Sequence, residues 1–251
     1  MNNMEKIVEI CCGSYYDAKM AALGGAKRIE LNSALHLGGL TPSLASLKLV
    51  KEEFDLNIIC MVRPRGAGFN YNEEDFKVML LDAELLMQNH ADGLAFGILN
   101  AEGEVDIERN RQIITIIKKY NGTAVFHRAF DCVKDPFATM EALIALGVDR
   151  VLTSGLEAKA MDGKEMIKQL QEKFNGRIEI LAGSGINATN ANEMIAYTGI
   201  HQVHSSCKDW LSDSTTSANG VTYAYADEAH HNDYDVVSLE LVKKIVETVN
   251  K

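Results

Sequence analysis

The sequence predicts one (β/α)8 barrel, and three observations lead there. The chain has 251 residues, about what one such barrel needs. Short runs rich in Val, Ile and Leu alternate with longer amphipathic segments, and the pattern repeats eight times, as βα units do. Gly25-Ala26 and Gly147-Val148 each precede an apolar run, with His90-Ala91-Asp92 as a variant, a recurring αβ connection. An open doubly wound sheet is the structural rival, because parallel units alone do not show closure. Eight units favour the barrel.

The elements follow in order. A strand over 6–11 leads to a helix over 15–23, which Ser14 can cap and Gly24 can stop. A strand over 27–32 precedes a helix over 43–53, and a strand over 57–63 precedes a helix over 73–89 that Asn72 can cap. The fourth unit pairs 92–97 with 107–120, and the fifth pairs 123–128 with 136–146, where Pro136 fits the first turn and Gly147 the stop. Strands over 149–153 and 177–182 precede helices over 163–174 and 188–197, the latter stopping near Gly199. The last strand, 201–205, is parted from a helix over 236–249 by a long polar stretch, 206–235. Loops of that length usually cover a site, contact a partner subunit or are disordered, so this one is expected as a polar loop or an oligomer-contact insertion in a single domain spanning 1–251.

Hydrophobic residues at 47% and charged residues at 24% place the chain among globular domains and away from disordered ones. The net charge of −10 opposes phosphate backbones and anionic membranes, so neither nucleic acid nor membrane is an expected partner. No apolar run approaches a spanning helix, and the first residues lack a signal-peptide apolar region, so a cytoplasmic location is expected. Five cysteines, odd in number and without C-x-x-C spacing, argue for reduced thiols rather than a disulfide framework or zinc ribbon.

Function in a barrel collects at the carboxyl ends of the strands. Side chains alternate along a strand, so Glu9 and Cys11 share a face, as do Glu30 and Asn32, and Met61 and Arg63. Glu9, Cys11, Glu30, Arg63 and His127 are expected to point inward, with Cys12 and Cys60 against the helices. His127 and Glu30 are the leading acid–base candidates, and Glu9 and Asp131 complete the catalytic set. Arg63 and Arg65 can clamp a carboxylate or phosphate, and the turn Gly183-Ser184-Gly185 with Ser205 can approach an anion through backbone N–H groups. Each also has a structural alternative: a buried Glu–Arg pair, a bonded histidine, a tight turn without ligand. His230 and His231, in a charged stretch without ligand spacing, are read as solvated.

Val8-Glu9-Ile10-Cys11, Arg28-Ile29-Glu30-Leu31, Gly38-Gly39-Leu40-Thr41-Pro42-Ser43 and Met61-Val62-Arg63-Pro64-Arg65-Gly66 occur in this order. They continue through Asp92-Gly93-Leu94-Ala95-Phe96-Gly97, Phe126-His127-Arg128-Ala129-Phe130-Asp131, Arg150-Val151-Leu152-Thr153-Ser154-Gly155, Gly183-Ser184-Gly185-Ile186 and Val203-His204-Ser205-Ser206. Together they closely resemble the CutC family over about residues 6–206. The resemblance implies a TIM-type barrel, cytoplasmic and homo-oligomeric (dimer or tetramer), associated with copper homeostasis. It also implies a pair of Cu(I)-binding cysteines, which map here to Cys11 and Asn32, so only Cys11 is retained. An amide oxygen is a poor ligand for soft Cu(I), and Met61 or Cys207 is the soft partner available.

Two functions are therefore expected. One is a copper-homeostasis protein binding Cu(I) at Cys11. The other is a barrel enzyme acting by acid–base catalysis on a small anionic metabolite, a phosphate or carboxylate, its reaction type and any further cofactor unknown.

Overall fold

The computed structural model describes residues 5–251. Within them, eight parallel strands close a barrel in sequence order. They are β1 (Ile7–Cys12), β2 (Arg28–Leu31), β3 (Asn57–Met61), β4 (Gly93–Phe96), β5 (Thr123–Phe126), β6 (Arg150–Thr153), β7 (Glu179–Ala182) and β8 (Gln202–Ser205). The ring is completed by β1 pairing with β8, which sets Glu9 beside His204, while β2 on the other side sets Cys11 beside Glu30.

The helices around it are α1 (Tyr15–Leu23), α2 (Leu44–Glu53), α3 (Glu73–Gln88), α4 (Ile107–Lys119), α5 (Pro136–Leu146), α6 (Lys164–Phe174), α7 (Ala191–Thr198) and α8 (Leu239–Asn250). Ser14 and Asn72 cap α1 and α3 through their side chains, and Gly147 ends α5 in the left-handed region. Among the described residues no helix is long and apolar enough to cross a membrane.

The main core lies between sheet and helices and contains Cys12, Cys60, Phe96 and Phe126, all fully buried. Inside the barrel the filling is divided. Ile59, Met61, Ala95 and Val125 form an apolar cluster from β3 to β5. The opposite side is polar: Glu9 meets Arg28 at 2.6 Å, Arg150 lies behind, and Gln202 accepts from Arg28 at 2.6 Å. Charges so buried gain little net stability as a group, but removing one partner is costly because the other is left uncompensated.

Several elements depart from the expected bounds. β3 and β5 end at Met61 and Phe126, so Arg63 and His127 stand in the loops just beyond, although His127 N still donates to Phe96 O at 2.8 Å. α7 starts three residues later than expected because Asn187 N bonds the Asn190 side chain at 2.9 Å and the chain turns there first. α8 also starts late, because Val236 and Val237 belong to a strand.

That strand, β12 (Asp233–Val237), pairs antiparallel with β9 (Lys208–Ser212). With β10 (Ser217–Ala218) and β11 (Val221–Thr222) at its outer end, it turns the stretch 206–235 into a hairpin arm. The arm is pinned at its base: Val237 N donates to buried Asp17 at 2.8 Å, and Ser238 N to Cys207 O at 2.9 Å. Farther out, Tyr225 stacks on His36 with ring centroids 4.5 Å apart.

Candidate functional site

A cavity of about 310 Å³ opens at the carboxyl ends of the strands. Cys11, Glu30, Met61 and His204 line its strand-borne depth, and Arg63 and His127 its loop-borne wall. Lys208, Asp235, Val236 and Val237 bring the arm to its edge.

At the bottom three different ligating groups converge. Cys11 Sγ is 3.9 Å from Glu30 Oε2, and His204 Nε2 is 4.0 Å from the same oxygen. All three ligating atoms lie within 4.8 Å of one another. Asn32 Nδ2 donates to Glu30 Oε2 at 3.0 Å and approaches Cys11 Sγ at 3.6 Å, so this one amide grips both neighbours. Behind the imidazole, Glu9 Oε1 takes Nδ1 of His204 at 2.9 Å, which leaves Nε2 toward Glu30 and Cys11.

The electrostatics follow from burial and pairing. Burial alone raises a carboxyl pKa, yet Arg28, His204 and Arg150 outweigh it at Glu9 and bring it down to about 2. At Glu30 burial prevails and raises the pKa, with Glu9 adding to the rise and His204 opposing it. Burial likewise raises the Cys11 thiol, with His204 opposing. Burial disfavours charge on His204, but its contacts with Cys11, Glu9 and Glu30 prevail and raise it well above the ordinary imidazole value.

His127 is placed in the wall, but as a neutral ring. Burial first, and the Arg63 charge second, bring its pKa down to about 3. Its Nδ1 accepts from Ala129 N at 3.1 Å, so the proton resides on Nε2, a buried atom with no protein partner. A Cβ at position 97 would stand 2.7 Å from this ring, so Gly97 is what makes room for it.

The remaining expected residues divide. Arg63 reaches the cavity wall, but its Nη1 donates to Leu37 O and Gly39 O at 2.8 and 3.0 Å and its Nη2 to Ala67 O at 2.6 Å. The Gly38-Gly39 backbone, with φ of 87° and 84°, turns those carbonyls inward. Arg65 does not line the cavity, contrary to the two-arginine clamp: its guanidinium pairs with Asp75 at 2.8 Å and with loop carbonyls. Asp131 also stays outside the lining, because Thr153 Oγ1, Ser154 N and Oγ, Leu156 N and Arg128 occupy its carboxylate. Glu9 is one layer deeper than the lining. Ser184 and Gly185 do reach the cavity, Ser184 at φ 84°, while Gly183 packs against Leu152 and His204. Ser205 donates to Ile186 O at 2.7 Å and faces a second cavity of about 290 Å³ shared with Lys208 and Lys244.

In the sequence His204 stands only within the motif Val203-His204-Ser205-Ser206, with no role assigned to it. The alternation that singles out Glu9 and Cys11 selects it on β8, but its partner Glu9 lies 195 residues away and only closure brings them together.

Comparison with known proteins is consistent across sequence and structure. The CutC family profile matches residues 6–209. A CutC protein of Treponema denticola is 44% identical, aligned over 96% of this chain and 98% of its own. The copper homeostasis protein cutC homolog of Mus musculus is 36% identical over 97% of this chain and 88% of its own. The crystal structure of a Streptococcus agalactiae CutC protein superposes with a TM-score of 0.76 at 30% identity, covering 80% of this chain and 98% of that one.

Proposed function

Because the chain belongs to the CutC family, we propose that it handles copper as cargo, taking up Cu(I) on the Cys11 thiolate with the His204 imidazole as second donor. One observation supports this above the rest: the Cys11 sulfur, half-buried at the base of the cavity, shares a 4.8 Å neighbourhood with the His204 ring nitrogen. Thiolate selects Cu(I) and imidazole tolerates it. Met61 adds a thioether to the same lining, whereas Cys207 hydrogen-bonds Ser205 beside the second cavity. With Asn32 in place of a second thiolate, the expected affinity is lower than that of a two-cysteine site.

The test is an anaerobic Cu(I) titration against a chromophoric chelator, on wild type and Cys11→Ser. One equivalent held by the wild type and released by the variant supports the proposal. Equal uptake by both defeats it.

A second reading has its own support. Arg63, Arg128, Ser184, Gly185 and Lys208 line the cavity that Glu30 also faces. A small phosphate or carboxylate would meet cations at the wall, with Glu30, its pKa raised, as the proton-transfer group and the His127 Nε2–H as donor. Inorganic phosphate and phosphate esters should then raise the melting temperature of the wild type, and absence of any shift would remove this reading.

We also propose a cytoplasmic homo-oligomer, dimer or tetramer. Five unpaired thiols fit a reducing compartment. Leu211, Val221, Tyr223 and Tyr234 give the arm exposed apolar surface suited to another copy. The charge of −10 opposes nucleic acid and anionic membranes as partners.

A further inference from the structure

We propose that Cys11, Glu30 and His204 form a three-ligand centre for a divalent ion of the Zn(II) class, with its fourth position open to the cavity. This rests on the copper reading only in sharing Cys11 and His204; Glu30 is a ligand of its own, and one that Cu(I) has little use for. A hard carboxylate contributes nothing to a soft monovalent ion, whereas one sulfur, one nitrogen and one oxygen together match a borderline divalent ion.

The distances agree. A tetrahedral Zn(II) with bonds of about 2.0–2.3 Å keeps its ligand atoms about 3.3–3.6 Å apart. The two edges that meet at Glu30 Oε2 measure 3.9 and 4.0 Å, and the third is at most 4.8 Å. Roughly half an ångström of contraction on the Glu30 edges, and no more than about 1.5 Å on the third, closes the set.

The surroundings are arranged as those of a metal site. His204 presents Nε2 because Glu9 takes Nδ1 at 2.9 Å, and Glu9 is fixed by Arg28 at 2.6 Å. This carboxylate–histidine pairing orients the imidazole and raises its basicity as a ligand. Asn32 donates to Glu30 at 3.0 Å and is 3.6 Å from the Cys11 sulfur, so the two anionic ligands share one amide donor. Asn32 thus supplies outer-sphere support to a mixed site. Three protein ligands and an open cavity leave the fourth position to water or to an oxygen of a bound molecule.

The experiment uses the full chain. Zn(II) affinity is measured by chelator competition, and Co(II) is added as a spectroscopic stand-in, on wild type, Glu30→Gln, Glu30→Asp and Cys11→Ser, with the Cu(I) titration run beside them and folding checked by circular dichroism. Wild type is expected to bind one Co(II) with a sulfur-to-metal charge-transfer band and the intense visible absorption of four-coordination. Glu30→Gln should weaken Zn(II) by at least about tenfold, and by a clearly larger factor than it changes Cu(I) affinity, and Glu30→Asp should recover part of the loss. Zn(II) affinity that is the same in Glu30→Gln, or Co(II) absorption without the thiolate band, overturns the proposal. Divalent binding without Cu(I) uptake upholds this centre and sinks the copper reading; the converse sinks only this one.

Discussion

Glu9 Oε1 holds Nδ1 of His204 at 2.9 Å, and its other oxygen meets Arg28 at 2.6 Å, so a single carboxylate joins the charged interior of the barrel to the cavity. Glu9→Gln keeps the shape and removes the charge. We expect a loss of about 3–5 kcal/mol at neutral pH, because Arg28 stays buried without its main counter-charge. Glu9 titrates at about 2 in the fold against an ordinary 4.5, so its contribution is complete above pH 4.5 and is lost as pH falls toward 2. Urea denaturation of wild type and variant should therefore show a gap that narrows below pH 4.5; a gap constant down to pH 3 would contradict the pairing.

His127 should mark the acid side of stability differently. Its pKa is about 3 in the fold against 6.5 when free, so protons bind the unfolded chain first. Its contribution is complete above pH 6.5 and declines by roughly 1.4 kcal/mol for each unit below that, until the pH reaches about 3. Replacing it as His127→Asn should flatten the wild-type decline between pH 6 and 5, whatever it does to absolute stability. An identical slope in both proteins would mean that the ring is not held neutral.

Arg63 separates structural from ligand-binding use of a guanidinium. Three loop carbonyls, of Leu37, Gly39 and Ala67, depend on it. Arg63→Lys keeps the charge but not the fork, and we expect about 1–3 kcal/mol of destabilisation with faster amide exchange in residues 36–40 and 66–69. Unchanged exchange there, with lost phosphate binding, would reassign Arg63 from loop support to ligand contact.

The barrel was legible because each of the eight units repeats one physical demand, an apolar strand covered by an amphipathic helix. Alternation along β1, β2 and β3 was enough to place Glu9, Cys11 and Glu30 inside and Cys12 and Cys60 outside. Alternation gives the side of a residue and not the reach of a long side chain, and Arg65 shows the difference: Asp75, ten residues on, claims its guanidinium. Asp131 reads as a catalytic acid in its motif because the five donors that saturate it include loop amides visible only after folding. The arm was legible only as polar, since its strands are only two to five residues long and stand in a stretch rich in Ser, Thr and Asp.

The arm leaves the barrel at Cys207 and returns at Ser238, and those two residues are hydrogen-bonded backbone to backbone at 2.9 Å. Its stem is therefore closed, and cutting it out would leave two ends already in register for a short join. The proposed metal ligands all lie before residue 206 on strands the arm does not build, although Lys208, Asp235, Val236 and Val237 border the entrance. The arm's share of the entrance and the proposed ligands thus lie on separate parts of one chain. A lineage, or a protein engineer, can trade one entrance for another, changing what gets in while the groups that wait inside stay as they are.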